Sequence, residues 1–246
     1  MPGLGLDLLF PVRCAGCRRG PWPFCDACRA SLVAFTPPWC VRCGVPLERY
    51  DDSCPECLPD VVSRTRSAFL FDGAARSAIH RLKFSGWRPV AAALAASMGA
   101  VAEGFATDHV VSWVPLSRRR RARRGFDQAE LLARALAAER GCAAVPLVAR
   151  DRDSAPQARR GGAERRTAVR GSFSLVRPAP ARVLLVDDVV TTGSTAAACA
   201  APLVRGGAED VALLTAARSV SAPLPRRYTH GGLASGSVVA REIVSR

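Results

Sequence analysis

Four C-x-x-C pairs fall within residues 14–57: Cys14/Cys17, Cys25/Cys28, Cys40/Cys43 and Cys54/Cys57. A C-x-x-C spacing lets two thiolates reach one metal at ~2.3 Å, and two such pairs complete a tetrahedral four-cysteine site. A single pair is compatible with redox chemistry, but four in one short segment indicate zinc. Residues 14–59 hold Pro21, Pro23, Pro37, Pro38, Pro46, Pro55 and Pro59. A segment this small and proline-rich needs metal to fold. Gly20 follows Cys17 closely and Gly44 directly follows Cys43, where a tight knuckle turn is expected, and Cys28 leads into a helix start at Arg29-Ala-Ser-Leu-Val33. These flanks favour consecutive sites, Cys14/Cys17/Cys25/Cys28 and Cys40/Cys43/Cys54/Cys57; interleaved pairing satisfies the spacing as well. With four protein ligands each, the sites are expected to be structural, holding one or two zinc ions. Cys142 and Cys199 stand apart and are expected as buried small hydrophobes.

The rest of the chain has the material for a core: 49% of its 246 residues are hydrophobic, which excludes a wholly disordered chain. The N-terminus lacks a basic n-region with a long apolar run, and Val90–Ala106 is too short and too interrupted to span a membrane. A cytoplasmic protein without membrane insertion is expected, in a compartment where clustered cysteines bind metal rather than pair.

The charge is uneven. Of a formal net +14, residues 115–182 supply +11, with 17 arginines against 6 acids. Such a concentration suggests a polyanionic partner, a phosphorylated small molecule or nucleic acid; a solvated arginine-rich surface is the plainer reading. If eight cysteines are thiolates on two Zn2+ ions, each site adds −2. The zinc segment is then near neutral or acidic, and the positive charge belongs to the middle of the chain.

The most informative segment is Val183–Thr195. Val183-Leu-Leu-Val186 suits a buried parallel strand. It ends at adjacent carboxylates, Asp187 and Asp188, then passes through Thr191, Thr192, Gly193, Ser194 and Thr195 into an alanine-rich helix, Ala196–Leu203. Strand, small-residue loop and helix form a phosphate cradle, with backbone N–H groups and the helix N-terminus directed at the anion. The carboxylates would repel a phosphate, so they are expected to accept hydrogen bonds from ribose hydroxyls, directly or through a divalent cation. There is no Walker A loop and no G-x-G-x-x-G.

Coarse periodicity predicts strands near Ala68–Asp72, Val110–Val114, Val145–Val148, Val183–Val186 and Val211–Thr215. It predicts helices near Ala74–Lys83, Pro89–Glu103 and Asp127–Arg140. This is an α/β pattern with a mostly parallel sheet flanked by helices, whose strand C-termini form the ligand rim. That rule brings Pro115–Arg118 and Asp187–Thr195 to one edge. The division expected is a zinc module over 1–62 and an α/β domain over 63–246. His80, His109 and His230 are too scattered for a triad or a ligand set and are expected to be structural.

Val183–Thr195 resembles the phosphoribosyl pyrophosphate (PRPP) motif of type I phosphoribosyltransferases, with Ser194 where a second glycine is common. Nearly the whole chain is similar to the ComF family of competence-associated phosphoribosyltransferase-like proteins. The similarity runs through the C-x-x-C segment, Ile79–Gly86, Val114-Pro-Leu116, Arg124–Ala133, Gln157, and Arg165-Arg166 with Gly171-Ser-Phe173. Asp127 and Ala168 stand where members often carry asparagine. The resemblance implies a type I phosphoribosyltransferase-like fold behind a zinc module, and PRPP with Mg2+ as ligands. Pro115, Leu116, Ser117 and Arg118 would hold the pyrophosphate, with Mg2+ bridging it to the ribose. Asp187 and Asp188 would be the catalytic carboxylates on the ribose, and Thr191–Thr195 would hold the 5′-phosphate. Lys83, Arg121, Arg124, Gln128, Gln157 and Arg165 would make further substrate or DNA contacts, and Arg150–Arg170 would form a water-excluding lid. The implied function is phosphoribosyl transfer to an unidentified acceptor, linked to DNA uptake and its machinery. The alternative is a non-catalytic PRPP sensor that binds single-stranded DNA. Aromatic residues are sparse in the basic segment, only Phe126 and Phe173, which argues against a dedicated single-strand binder.

Overall fold

A computed structural model describes residues 13–150 and 172–229. Strands β1 (Thr65–Leu70), β2 (Val110–Trp113), β5 (Arg182–Val190) and β6 (Asp210–Arg218) form a parallel sheet in the order β1-β6-β5-β2. β5 and β6 are its interior strands, and the apolar residues of Val183–Val186 and Val211–Leu214 are buried. This is the continuous apolar run that a strand covered on both faces requires.

Helices α2 (Gly73–Phe84), α3 (Val90–Ala102) and α5 (Gln128–Glu139) cover one face. Their inward residues Ile79, Leu82, Leu94, Leu132 and Leu136 are fully buried against Leu184, Val186, Ala212 and Leu214. Each such side chain contributes about 1.5–3 kcal/mol of burial. Helix α6 (Ser194–Arg205) covers the opposite face with Cys199, Ala200 and Leu203. Both long amphipathic helices near the rim start on an aspartate or glycine cap: Asp127 accepts from Ala129 and Glu130 N–H at the start of α5, and Gly193 precedes α6.

The cysteine segment packs directly on this core. Its short helix α1 (Asp26–Ala30) lies between paired cysteines rather than after them, so the helix expected from Arg29 onward ends there instead. Beyond it, Ala34 bridges Phe69 in antiparallel fashion and the Leu70 N–H donates to the Val33 carbonyl at 2.8 Å. Edge strand β1 is thereby covered, which removes an exposed pairing edge. At the two knuckles the left-handed residue is Arg18 (φ 66°) after Cys17 and Gly44 (φ 70°) after Cys43. The glycine expectation therefore holds for the second turn, while in the first an arginine takes the left-handed position.

One expectation about the sheet is corrected. The strand predicted over Val145–Val148 is β3 (Val148–Arg150), and it does not join the parallel sheet. It pairs antiparallel with β4 (Phe173–Leu175) in a separate two-stranded sheet against α6. The arginine run after Ser117 is helical: α4 spans Arg118–Arg124. Ser117 caps it by accepting from the Arg120 N–H at 3.4 Å, and Gly125 closes it in the left-handed conformation. Local capping outweighs repulsion among its six arginines. Helix α7 (Arg226–Thr229) ends the described chain.

Candidate functional site

The rim at the C-terminal ends of β2 and β5 gathers the predicted residues. Val114 N–H donates to the Val186 carbonyl at 3.0 Å, so Pro115–Ser117 leaves the sheet beside Asp187 and Asp188. The buried Asp127 carboxylate accepts from the Leu116 N–H at 2.7 Å, tying that loop to the start of α5. Burial pushes the Asp127 carboxyl above its ordinary value, although these backbone N–H bonds pull the other way. Ser117 spends its hydroxyl on the cap of α4, and Arg118 is exposed at the first turn of that helix.

Asp188 is buried and lies on the face covered by α2 and α5. It forms an ion pair with Lys83, the only lysine of the chain, at the end of α2. Its other oxygen faces the Gln128 side-chain amide at 3.5 Å, and Gln128 accepts from Arg124. Lys83, Gln128 and Arg124, distant in sequence, thus converge on one carboxylate. Arg124 is partly buried, and desolvation lowers its pKa despite the attraction of Asp188. Arg121 instead pairs with Glu130 at 3.1 Å. Asp187 accepts from the Asp188 N–H at 2.8 Å. Burial first, and the neighbouring Asp188 charge second, hold the Asp187 carboxyl well above the usual carboxylate range.

Immediately beyond the carboxylates, Asp187, Val190 and Thr191–Ala196 line a cavity of about 70 Å3. Loop hydroxyls and the backbone at the start of α6 line it, the kind of donor set that receives an anion. Gly193 (φ 70°) turns the chain into α6, whose first N–H groups have no acceptor within the helix. Thr192 and Ser194 hydroxyls lie 2.9 Å apart. These donors can receive a phosphate, and the adjacent carboxylates can receive hydroxyls. Gln157, Arg165, the remainder of the proposed lid after Arg150, and His230 lie outside the described residues.

Sequence reasoning missed what lies behind this loop. The Leu58 side chain packs against Gly193 so closely that a Cβ there would overlap it. Leu58 follows Cys57 directly, so the cysteine segment abuts the phosphate cradle. No local pattern signals such a contact. Arg218, fully buried at the end of β6, donates to the carbonyls of Cys43 and Glu56. Its signal was present: a lone charge closing the apolar run Val211–Ala217.

The cysteines form two groups, Cys14/Cys17/Cys25/Cys28 and Cys40/Cys43/Cys54/Cys57, each with all four sulfurs within 4.8 Å of one another. The consecutive pairing is therefore the one adopted. Sulfur separations of 3.6 Å (Cys17–Cys25), 3.5 Å (Cys40–Cys57) and 3.4 Å (Cys43–Cys54) exceed a disulfide. They approach the ~3.8 Å edge of a zinc–thiolate tetrahedron with ~2.3 Å bonds. Backbone N–H groups of Cys17 and Cys25 point at the Cys14 sulfur at 3.5 and 3.3 Å, and that of Cys54 at the Cys57 sulfur at 3.3 Å. Arg19 and Gly20 N–H groups pull the Cys17 thiol down to about 6. Such donors stabilise metal-bound thiolate.

Cys199 is buried as expected, and burial pushes its thiol up. Cys142 is exposed in the turn after α5, against expectation. His109 is structural: it is buried, with Nδ1 3.0 Å from the Ala106 carbonyl and Nε2 3.0 Å from Asp210. His80 is exposed on α2, its ring 4.5 Å from that of Phe84.

A parallel α/β core with paired carboxylates ahead of a small polar cradle, fronted by two four-cysteine sites, is the class of protein these observations define. Residues 5–58 match the double zinc ribbon domain family, so both cysteine groups are structural zinc sites. Over 219 residues the chain is 35% identical to the DNA utilization protein YhgH of Salmonella typhimurium, covering 83% of this chain and 96% of that one. It is 27% identical to Competence protein F of Haemophilus influenzae, over 85% and 98% of the two chains. The chain belongs to the ComF family. Among solved structures, the allosteric regulatory enzyme of purine biosynthesis overlaps 52% of this chain and 26% of its own, at 24% identity and a TM-score of 0.37. No described helix is long and apolar enough to cross a membrane.

Proposed function

We propose that the protein binds PRPP at the β5–α6 rim and transfers its phosphoribosyl group to an acceptor, in a role connected with DNA uptake. The observation that carries this reading is the sequence of groups along one segment: Asp187 and Asp188, then a cavity of about 70 Å3 closed by Thr191–Thr195. Ribose hydroxyls on the carboxylates and the 5′-phosphate in the cradle fit that order. The pyrophosphate then lies toward Pro115–Arg118 and the arginines of α4.

In the reaction, the anomeric C–O bond breaks and the pyrophosphate leaves with the electron pair. An acceptor lone pair forms the new bond and its proton passes to solvent. The developing positive charge on the ribose is stabilised by the adjacent carboxylates, and the leaving group by arginine. Lys83 and Gln128 hold Asp188 in place from α2 and α5. Mg2+ bound with PRPP would neutralise leaving-group charge, as hard oxygen donors suit it. No protein nucleophile is required.

A pyrophosphate-release screen across nucleobases, nucleotides and oligonucleotides, with PRPP and Mg2+, tests the reading. Release with at least one acceptor, lost in the Asp187→Asn/Asp188→Asn variant, is expected. PRPP binding without release from any acceptor would leave the second reading: a PRPP-responsive protein that handles single-stranded DNA. The exposed arginines of α4 and the relatives' names, DNA utilization protein and Competence protein F, support that alternative.

A further inference from the structure

Phe84 is the last residue of α2 and is 61% exposed, among the most exposed large hydrophobics described. Water contact forfeits most of the ~1.5–3 kcal/mol a buried Phe would contribute, so its position invites another explanation. The ring is not loose. The Arg124 guanidinium sits over it at 5.3 Å from the centroid, and His80 flanks it at 4.5 Å with the rings tilted by 46°. Arg124 ties the ring to the rim, since it reaches Asp188 through Gln128, and Lys83, the residue before Phe84, pairs with the same carboxylate. Arg124 is itself the last residue of α4, which carries six arginines in seven residues. The fold thus sets an open aromatic ring next to Lys83, the partner of Asp188, and under the last arginine of a cationic helix.

We infer that Phe84 is a stacking platform for a nucleobase, with Arg124 sandwiching the ring and the α4 arginines holding the adjoining phosphates. Every base offers a π-face, and an aromatic side chain beside a cationic track is what sequence-tolerant binding of single strands uses. The basic segment lacks exposed aromatics of its own; α2 supplies one from outside it. Base stacking here needs no catalysis. It rests on the PRPP reading only for what the base is presented to.

The test measures fluorescence anisotropy of the full-length zinc-loaded protein with a labelled dT12, with an abasic strand of the same length, and with dTMP as competitor. Calorimetric titration with PRPP and Mg2+ is run in parallel. Phe84→Ala is expected to weaken dT12 about 10-fold, within the ~1–3 kcal/mol of one stacked base. It should leave abasic binding unchanged, and Phe84→Trp should restore the loss. If dTMP alone shows the Phe84 dependence, the platform serves a free nucleotide; if dT12 does, it serves a strand; either supports the inference. Equal affinity of dT12 and abasic strand with no dTMP effect, or a Phe84→Ala variant whose only change is dissociation of an oligomer, overturns it. Absence of PRPP binding with the base dependence intact would refute the proposed enzyme and spare the platform.

Discussion

The two zinc sites have the same four ligands and different places in the molecule. The first is built into the main core: Cys14 is fully buried with Ala15, Phe24 and Leu32 in the cluster that includes Ile79 and Leu94. Arg81 of α2 donates to the carbonyls of Ala15, at 2.6 Å, and Gly16. The second has a small core of its own, Cys40, Cys43 and Val45. Its links to the sheet include the Thr65 N–H of β1, which donates to the Arg42 carbonyl at 2.9 Å, and two arginines. Arg218 reaches Cys43 and Glu56, and Arg66 donates to the Val41 carbonyl at 2.9 Å while sitting over Trp39. A Zn(Cys)4 site carries −2, which these two cations offset. It is also the second site that ends in Leu58, against the phosphate cradle. The first site is thus part of the main core, and the second lies behind the β5–α6 loop.

The largest effect should come from breaking the first site. Structural zinc contributes about 10–16 kcal/mol, more than or comparable to the ~5–15 kcal/mol by which domains are stable. Cys14→Ser should lose cooperative unfolding, seen by circular dichroism against denaturant. Cys40→Ser should instead keep the α/β signal, hold one zinc equivalent by metal analysis, and bind PRPP about tenfold more weakly. Equal collapse of both variants would erase the distinction.

Gly193→Ala sharpens it further. The left-handed φ of 70° costs a Cβ-bearing residue about 1–2 kcal/mol, and the Cβ also meets Leu58. PRPP affinity should fall by roughly tenfold. Adding Leu58→Ala should recover the part due to overlap and leave the part due to backbone strain. An unchanged affinity in the single variant would mean that the second ribbon does not brace the loop.

What was legible in the sequence was local. Val183–Thr195 declares itself because an apolar strand, two acids and a cap-rich loop are adjacent along the chain, and the C-x-x-C pairs declare their metal for the same reason. The strand at Val148–Arg150 was legible as a strand but not as a member of a second sheet, because its partner, Phe173–Leu175, is three residues long and remote. Helix α4 hid behind its arginines, although Ser117 and Gly125 mark its ends. Leu58 on Gly193, Phe84 under Arg124 and Arg218 beneath Cys43 depend on tertiary packing that no spacing encodes. Lys83, Gln128 and Arg124 could be named beforehand through the family resemblance; their convergence on Asp188 could not.

The smallest expected effect concerns Asp127, which ties the Leu116 backbone to the start of α5. Its folded carboxyl titrates above its unfolded value, so the folded state keeps a proton that the unfolded state has released. Stability should fall as pH rises from the ordinary carboxylate value toward the raised one. Asp127→Asn should remove that slope, seen as a melting temperature less sensitive to pH across the mildly acidic range, while both zinc equivalents remain. A slope unchanged in the variant would assign the titration to another group.

The central claim is that the β5–α6 rim is a PRPP site. Calorimetric titration of the zinc-loaded protein with PRPP and Mg2+ tests it most directly. Saturable one-to-one binding is predicted for the native chain, with binding abolished in Asp187→Asn/Asp188→Asn at unchanged zinc content and unchanged circular dichroism. No binding by the native chain, or equal binding by the double variant, would contradict it.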